Sequence, residues 1–402
     1  MSIRRFPNWQ SGIRINMVYA AYIFAGGLFM RLSLKVHAAF FLIVVPLAYV
    51  MYVNIANLSA CSDEGLRKEY TGALEDDLME FLQKNFYGGG GELYTKISPE
   101  GADTDTLAES TGLLMRYSVL TGDRNLFDRE FSFLRERLLV KGRFVRWKTG
   151  KREVACNSAV DDFRIIGALI DASGRWGDSG PKETAGLIQE GMLSCQTYDD
   201  NICEFYDWGQ KTAKKSIPLC YIDLQTMRDL YKYDRQWREA ARKGLKILKN
   251  GRIGNSPFFY KYYDYKTGQY RMDDEHAGGR GVCAIYSVIS AMNLAKVQED
   301  TRFFTRWLKN EMANRKKLFG WYDPETLKPS QDFESTAFYA LAAIYSYSVG
   351  EKELGGQLLN KMLEFRVDNA HSQYHGGFGD GSRCEFYSFD NLTALLALEA
   401  AN

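Results

Sequence analysis

The chain has 402 residues, with 51 Lys and Arg against 50 Asp and Glu, so its formal net charge is +1. A hydrophobic fraction of 46% and a charged fraction of 25% exclude a disordered or collagen-like chain. The balance of charge argues against a nucleic-acid binder, because the basic excess that neutralises phosphates is missing. Four His, and seven Cys without a C-x-x-C pair, predict neither a metal site nor a cofactor.

The first feature in chain order is an apolar segment at 36–56 that contains no Asp, Glu, Lys or Arg. It is long enough for a helix that crosses a bilayer, which takes about 20 residues. Arg31 and Lys35 precede the segment, and Asp63 and Glu64 follow it. Because positive charge stays on the cytoplasmic side, most of the chain is expected outside the cytoplasm.

Two alternatives remain open for this region. Residues 1–35 are a cytoplasmic segment before an anchor, or Met30 starts a signal peptide and what precedes it is a mispredicted start. The tetrad Leu58–Cys61 resembles a bacterial lipoprotein box, in which Cys61 would be lipidated after cleavage. An uncleaved single-pass anchor is favoured over the lipoprotein. In both cases the domain at 62–402 lies on the outer face of the membrane.

From residue 66 onward the apolar periodicity predicts twelve helices. They cover 66–84, 104–121, 125–138, 158–174, 182–194, 219–232, 235–249, 281–296, 298–313, 331–348, 351–365 and 387–400. Short Gly-bearing turns, such as the one at Gly122, alternate with six longer connections rich in Gly and aromatic residues. These connections are 85–103, 139–157, 195–218, 250–280, 314–330 and 366–386.

This alternation predicts an all-α domain with the (α/α)6 barrel fold, in which six outer helices surround six inner ones. Neighbours joined by the short turns should be antiparallel. An open α-solenoid is disfavoured, because the sequence has no fixed repeat of about 34 to 47 residues. The long connections should gather at one end of the barrel, where functional sites usually lie.

Several acidic residues stand in the first turns of predicted helices that follow long connections. They are Glu109, Asp161, Asp162, Asp332, Glu334 and Asp390. Hydrolysis of a glycosidic bond needs such carboxyl groups in pairs: a protonated one donates to the leaving oxygen and an ionised one activates water. Aromatic side chains of the connections would offer flat faces to sugar rings. The predicted substrate contacts are Trp147, Tyr206, Trp208, Tyr263 and Trp321.

A purely structural role for these carboxylates also has to be weighed, because acidic residues favour the first turn of any helix. Thr106 and Glu109 have the spacing of a capping box, and Ser158 and Asp161 have that of its acidic variant. Asp162 is harder to explain in this way. It shares a helix that is apolar nearly all round, where a carboxylate must be paired or functional.

Two segments resemble the signatures of glycoside hydrolase family 8. The stretch 108–128, AESTGLLMRYSVLTGDRNLFD, resembles the segment that carries the acid of this family. The stretch 157–172, NSAVDDFRIIGALIDA, resembles its second signature. The chain is most similar to the divergent, cellulase-like members found with bacterial exopolysaccharide synthesis. The resemblance implies an (α/α)6 barrel and an inverting mechanism.

Under this resemblance Glu109 corresponds to the general acid of the family. Asp162 corresponds to the second acidic residue of the second signature. The first acidic residue of that signature, which binds the central sugar, falls on Val160, so Asp161 is its nearest substitute. The resemblance therefore implies catalytic roles for Glu109 and Asp162 and leaves the role of Asp161 open.

The base is harder to assign from the resemblance. In cellulase-type members it is an Asp that opens a late inner helix, but the matching stretch, 281–291, contains no Asp. The nearest acidic residues precede it in the chain. Asp264, in a Tyr-Asp pair, is the predicted base, with Asp273 and Asp274 as alternatives.

The sequence thus predicts a membrane-anchored, extracytoplasmic endo-glycoside hydrolase that cleaves an exopolysaccharide. An exopolysaccharide synthase complex is a candidate partner. The first alternative is a catalytically inactive sugar-binding subunit of a polysaccharide synthesis or export system, which the missing late Asp favours. The second is a polysaccharide lyase, which would require a Tyr, His or Lys base beside an Arg.

Overall fold

Twelve α-helices form the frame of the computed structural model, which describes residues 68–151, 153–272 and 281–402. In chain order they are α1 over 68–85, α2 Ala108–Thr121, α3 Arg124–Phe133, α4 Ala159–Trp176, α5 Ser179–Cys195, α6 Leu224–Leu230, α7 Gln236–Asn250, α8 Ala284–Ala295, α9 Arg302–Asn314, α10 Thr336–Ser348, α11 Lys352–Leu363 and α12 Ser388–Glu399. Each corresponds to a predicted helix. The predicted anchor at 36–56 and Cys61 lie outside the described ranges, within which no helix is long and apolar enough to cross a membrane.

The distribution of apolar residues decides which helices are internal. In α7 the buried residues are spaced as one face of a helix: Trp237, Ala240, Gly244, Ile247 and Leu248. The opposite face of α7 is polar, so this helix covers the outside of the barrel. In α10, by contrast, ten of 13 residues are buried on all sides, so α10 lies inside.

The even-numbered helices form a closed inner ring. Along the chain, α2 packs against α4, α4 against α6, α6 against α8, α8 against α10 and α10 against α12. The ring closes because α12 also packs against α2. Outer helices pair with the ring, for example α3 with α2, α5 with α4 and α11 with α10. The predicted (α/α)6 barrel is therefore confirmed.

The long connections contain short strands, which the all-α prediction omitted. They are β1 Tyr94–Ser98, β2 Gly101–Leu107, β3 Leu139–Val140, β4 Phe144–Val145, β5 Lys148–Thr149, β6 Thr197–Tyr198, β7 Asn201–Ile202, β8 Tyr206–Asp207, β9 Thr212–Ala213, β10 Ser216–Pro218, β11 Tyr262–Asp264, β12 Gln269–Arg271, β13 Val282–Cys283, β14 Trp321–Tyr322, β15 Gly379–Asp380 and β16 Glu385–Tyr387. Most have two or three residues, too few to show a period of two in sequence.

These strands hold the six connections together at one end of the barrel. A five-stranded antiparallel sheet, in the order β15-β16-β1-β2-β5, joins the connections that precede α12, α2 and α4. The sheet β10-β11-β12 joins those before α6 and α8, and β13 pairs with β14 before α8 and α10. All six inner helices therefore begin at this end, which we call the mouth.

The opposite end is closed by short turns. Gly122 follows α2 with φ of 84°, a left-handed conformation that favours glycine. The next residue, Asp123, caps α3 by accepting a hydrogen bond of 2.9 Å from the Leu126 N–H. Asp178 caps α5 in the same way. Compact turns of this kind leave the mouth as the end with room for a site.

Candidate active site

Glu109 lies in the first turn of α2, at the mouth. The helix begins at Ala108, whose N–H donates to the Trp147 carbonyl oxygen at 2.9 Å. The predicted capping box is wrong, because the N-cap residue is Leu107 and makes no side-chain capping bond. The Thr106 hydroxyl is buried without a hydrogen-bond partner in the described part of the chain. Capping therefore does not account for Glu109.

Asp161 and Arg164, both on α4, lie next to Glu109. Arg164 Nη1 is 2.7 Å from Asp161 Oδ1 and 4.0 Å from Glu109 Oε2. Because both distances start at the same nitrogen, the two carboxylate oxygens are separated by no more than the sum of 2.7 and 4.0 Å. The structure thus brings together the predicted acid and one predicted partner.

The environment of Glu109 is suited to a group that holds a proton near neutral pH. Burial raises the pKa of Glu109 to about 7, Arg164 opposes this rise, and the negative charge of Asp161 adds to it. The side chain nevertheless keeps 26% of its surface exposed. Within the described ranges its carboxyl group makes no hydrogen bond. A proton on Glu109 is therefore both retained and reachable.

Asp162, predicted as catalytic, faces a buried polar network instead of the cleft. It is 1% exposed, and Asn157 Nδ2 donates to its Oδ2. The same Asn157 amide donates to Gln196 Oε1 at 2.6 Å, and its Oδ1 accepts from the Tyr206 N–H at 2.6 Å. Asp162 therefore helps to join the connections before α4 and α6.

Burial, the neighbouring charge of Asp161 and the lack of a partner for one of its two oxygens all favour a proton on Asp162. Burial raises its pKa well above the ordinary range, and Asp161 raises it further. Its second oxygen, Oδ1, has no hydrogen-bond partner in the part of the chain that the structure describes. A neutral Asp162 can hold the mouth loops in place without a buried charge.

Asp264, the predicted base, closes a β-turn. It stands at the end of β11 and accepts hydrogen bonds from the N–H groups of Lys266 and Thr267 at 2.9 and 3.0 Å. Arg271 on β12 lies 3.1 Å from its Oδ2. The hydrogen bonds from Thr267 and Lys266 and the charge of Arg271 hold the pKa of Asp264 below its ordinary value. The alternatives, Asp273 and Asp274, lie outside the described residues.

Glu204 is a carboxylate of the mouth that sequence reasoning missed. Its carbonyl oxygen accepts from the Ala159 N–H, at the start of α4, at 2.9 Å. Burial raises the pKa of its carboxyl group, and Lys214 and Lys261 oppose the rise. Glu204 lies in a connection between two short strands, so a search of first helical turns passes over it.

Tyr221, just before α6, is under the electrostatic influence of Asp161 and Glu204. Burial raises the pKa of the Tyr221 hydroxyl, and the charges of Cys220, Asp161 and Glu204 raise it further. Because charges act on a hydroxyl in this way over short distances, both carboxylates must be near it. Asp161 and Glu204 therefore both contribute to the electrostatic environment of Tyr221.

Two of the predicted aromatic contacts lie directly beside the starts of inner helices. Trp147 provides the carbonyl oxygen that accepts from the first N–H of α2. Trp321 is paired in β14 with Cys283, which precedes α8. Its neighbour Tyr322 is fully buried, and successive side chains of a strand point to opposite faces, so Trp321 points away from that core.

The other three predicted contacts belong to aromatic clusters. Tyr206 and Trp208 both pack on Phe144, with ring centroids 5.4 and 5.7 Å apart. Tyr263 packs on Tyr270 with a centroid separation of 4.8 Å. These clusters stiffen the connections before α4, α6 and α8, and substrate contact by their rings stays a prediction.

No protein-family model matches the chain. A structure described as a novel α-amylase from Clostridium perfringens is 28% identical, with a TM-score of 0.76, and the match covers 82% of this chain and 97% of that one. PssZ from Listeria monocytogenes is 23% identical, with a TM-score of 0.64, over 79% of this chain and 93% of that one. A cold-adapted family 8 xylanase is 12% identical, with a TM-score of 0.61, over 83% and 90%.

One relative at the sequence level is YdaJ of Bacillus subtilis (strain 168), which is described as a lipoprotein. It is 26% identical over 362 residues, which cover 88% of this chain and 96% of YdaJ. Together with the barrel and its mouth, these likenesses define the class: the chain has the fold of the glycoside hydrolases and is similar in sequence to one of them, the α-amylase. Structures of family 8 enzymes are among those that share this fold, which is the fold that the two sequence segments implied.

Proposed function

We propose that the chain is an endo-acting, inverting glycoside hydrolase in which Glu109 is the general acid. The observation that carries this proposal is the state of the Glu109 carboxyl group. It holds a proton near pH 7, it is partly exposed, and within the described ranges it accepts no hydrogen bond, its one ion pair being the 4.0 Å contact with Arg164. A positioned acid with a pKa near the working pH can protonate the leaving oxygen of a glycosidic bond.

Asp161 is proposed to act next to the sugar at the cleavage point. Burial raises its pKa, while Arg164 and Ser158 oppose the rise and favour the ionised form. A negative charge at this position would stabilise the positive charge that develops on the sugar ring in the transition state. Asp162, which is buried behind it, is proposed to position Asp161 and the mouth loops.

Glu204 is the carboxylate that best fits the role of base in the described part of the mouth. Glu204 lies in the connection before α6, and its charge and that of Asp161 both act on the Tyr221 hydroxyl. An inverting pair leaves about 6.5–9.5 Å between carboxyl groups for a water molecule. Asp264 fits less well, because its oxygens are bound to its own turn. Asp273 and Asp274 remain alternatives.

The substrate is proposed to be a polysaccharide outside the cytoplasm. Three relatives are described as an α-amylase, an endo-β-1,4-glucanase and a xylanase, so amylose, carboxymethylcellulose and xylan are the first polymers to test. Exopolysaccharide extracted from the host of this protein is the fourth. An endo-acting enzyme lowers polymer length before small sugars appear, and proton NMR of the first products shows whether the anomeric configuration is inverted.

A sugar-binding subunit without activity is the second candidate function. The start of α8, where the family resemblance implies the base, carries Cys283 and Tyr286 instead of Asp. If the full chain binds one of the four polymers without shortening it, this candidate replaces the hydrolase. If products form with retained configuration, the hydrolase stands and the inverting mechanism fails.

The chain is proposed to be a lipoprotein anchored through Cys61. Residues 68–402 are 335 of 402 residues, about 83% of the chain, whereas the match to YdaJ covers 88%. The likeness to a protein described as a lipoprotein therefore extends into the N-terminal segment. It supports the lipoprotein over the single-pass anchor at 36–56, which the sequence alone favoured.

Metabolic labelling with palmitate tests the anchor. The wild-type chain should incorporate label, and Cys61→Ser should not and should leave the membrane fraction. Cys384→Ser, which removes a half-exposed thiol of the barrel, is the matched control and should be labelled like wild type. A Cys61→Ser chain that stays in the membrane fraction without label would favour the single-pass anchor.

A further inference from the structure

Arg164 has no role in the family resemblance, and its effect on Glu109 and Asp161 together has a further consequence for the site. It lies one turn inside α4, and its side chain is only 18% exposed. To reach the mouth, it passes between α4 and α2. A Cβ atom on Gly112 of α2 would come within 3.2 Å of Arg164 Cγ and Cδ. Glycine at 112, unfavourable inside a helix, thus leaves room for the Arg164 side chain.

The guanidinium lies against two carboxyl groups that burial would otherwise keep from ionising together. It bonds to Asp161 at 2.7 Å and stands 4.0 Å from Glu109. Two carboxyl groups this close, with no cation between them, share one proton, because two adjacent negative charges are unfavourable in a poorly solvated site. Without the guanidinium, this one proton would be divided between Glu109 and Asp161.

We propose that Arg164 is a positioning residue of the active site, which holds Asp161 ionised and in place so that the shared proton resides on Glu109. This inference rests on the proposed role of Glu109 as the acid. The bond to Arg164 offsets the cost of a buried negative charge on Asp161. The ionised Asp161 in turn keeps the nearby Glu109 from ionising.

The prediction for a variant without the guanidinium follows from charge. Arg164→Met removes a positive charge, so the Glu109–Asp161 pair should hold its last proton to higher pH. An opposite charge at about 4–6 Å typically shifts a carboxyl pKa by one to three units. The midpoint of the Glu109 titration should therefore rise by about one pH unit or more. Arg164→Lys keeps the positive charge but loses the planar guanidinium. Its Glu109 midpoint should therefore lie between those of wild type and Arg164→Met.

The test is an infrared titration of carboxyl groups in the full chain, which needs no substrate. Subtracting the spectra of the matching Glu109→Gln chain isolates the Glu109 signal in each background. Arg116→Met is the matched control, because Arg116 on α2 pairs with Asp171 on α4, across the same two helices but away from the mouth. It should leave the Glu109 midpoint unchanged.

Two outcomes would overturn the inference. One is a folded Arg164→Met chain in which Glu109 titrates as in wild type. The other is an equal shift in Arg116→Met, which would make the effect a general one of the helix pair. Neither depends on turnover, so failure of the hydrolase proposal remains a separate result. In an active chain, the alkaline limb of the pH profile should move with the titration.

Discussion

Two glutamates with raised pKa values, one at each end of the barrel, show what distinguishes a site from a structural carboxyl group. Burial raises the pKa of both Glu109 and Glu75 to about 7. Glu75, on α1, is 6% exposed, and its oxygens accept from the Tyr117 hydroxyl at 2.8 Å and the Asn402 amide at 3.1 Å. Glu109 is 26% exposed and accepts no hydrogen bond within the described ranges.

The two glutamates differ in whether their carboxyl oxygens accept hydrogen bonds from other residues of the described ranges. A perturbed pKa alone marks burial, and burial serves structure as often as chemistry. At Glu75 the carboxyl group joins α1 to α2 and to Asn402, beyond the end of α12, through hydrogen bonds. At Glu109 no hydrogen bond from another residue of the described ranges occupies the carboxyl group. A group of that kind can give its proton to a substrate, and the comparison predicts how the two glutamates respond to the same substitution.

The largest expected effect separates the two glutamates by activity. Glu109→Gln should lower turnover by about two to four orders of magnitude, the range of general acid catalysis, while the barrel still folds. Glu75→Gln should change turnover by less than about threefold, because Glu75 does not face the mouth. Rates of reducing-end formation on the cleaved polymer measure both. Equal losses in the two variants would mean that the comparison reflects folding alone.

The second effect tests which carboxylate activates water. Glu204→Gln should lower turnover by about two orders of magnitude or more, because the amide of glutamine, unlike a carboxylate, cannot take a proton from water. Asp264→Asn is the control, since it loosens the turn between β11 and β12 without changing the centre of the mouth. Severe loss in Asp264→Asn with normal Glu204→Gln would restore the base predicted from the sequence.

The sequence was sufficient for the barrel because its signal extends over long segments. All twelve helices follow from apolar periodicity over seven or more residues. The predicted helix at 219–232 shows the limit. The chain forms a 3-10 turn at Leu219–Tyr221 and starts α6 anew at Leu224, because Asp223 caps it by accepting from the Thr226 N–H. Local capping of this kind overrides a continuous apolar pattern.

The site was predictable where it depends on helix starts and unpredictable where it depends on loops. Glu109 and Asp161 follow from their places in first turns. Glu204 has no such pattern, since the fold brings it to the mouth through backbone hydrogen bonds with Ala159 and Ser216. For Asp264 a signal was present: the sequence Asp-Tyr-Lys-Thr-Gly, with Gly268 at φ of 70°, is typical of a turn closed by its own Asp.

A third prediction concerns the pH profile and the charge beside the acid. Activity should fall as pH rises through about 7, because Glu109 then loses its proton. Asp161→Asn removes the negative charge that raises the pKa of Glu109 and leaves Arg164 to favour its ionised form. The alkaline limb of kcat/KM should therefore move to lower pH by about one unit. Asp171→Asn, at an exposed ion pair of the same helix, should leave the limb in place. An alkaline limb that moves to higher pH in Asp161→Asn would contradict the argument that the charge of Asp161 raises the pKa of Glu109.

The smallest effect is on stability, and it belongs to Glu75. Its folded pKa of about 7 lies above its ordinary value of 4.5, so the folded state binds the proton more tightly than the unfolded chain. The stability that this proton contributes is complete below pH 4.5 and is lost as pH rises through 7.

Glu75→Gln keeps an amide between Tyr117 and Asn402 but does not titrate. Relative to Glu75→Gln, the wild-type chain should therefore lose roughly 1–3 kcal/mol between pH 5 and pH 8, at about 1.4 kcal/mol per unit of pKa difference. Urea unfolding of both chains at the two pH values measures the change. A difference that does not vary with pH would mean that Glu75 is ionised in the folded barrel, and that its hydrogen bonds from Tyr117 and Asn402 outweigh the cost of burial.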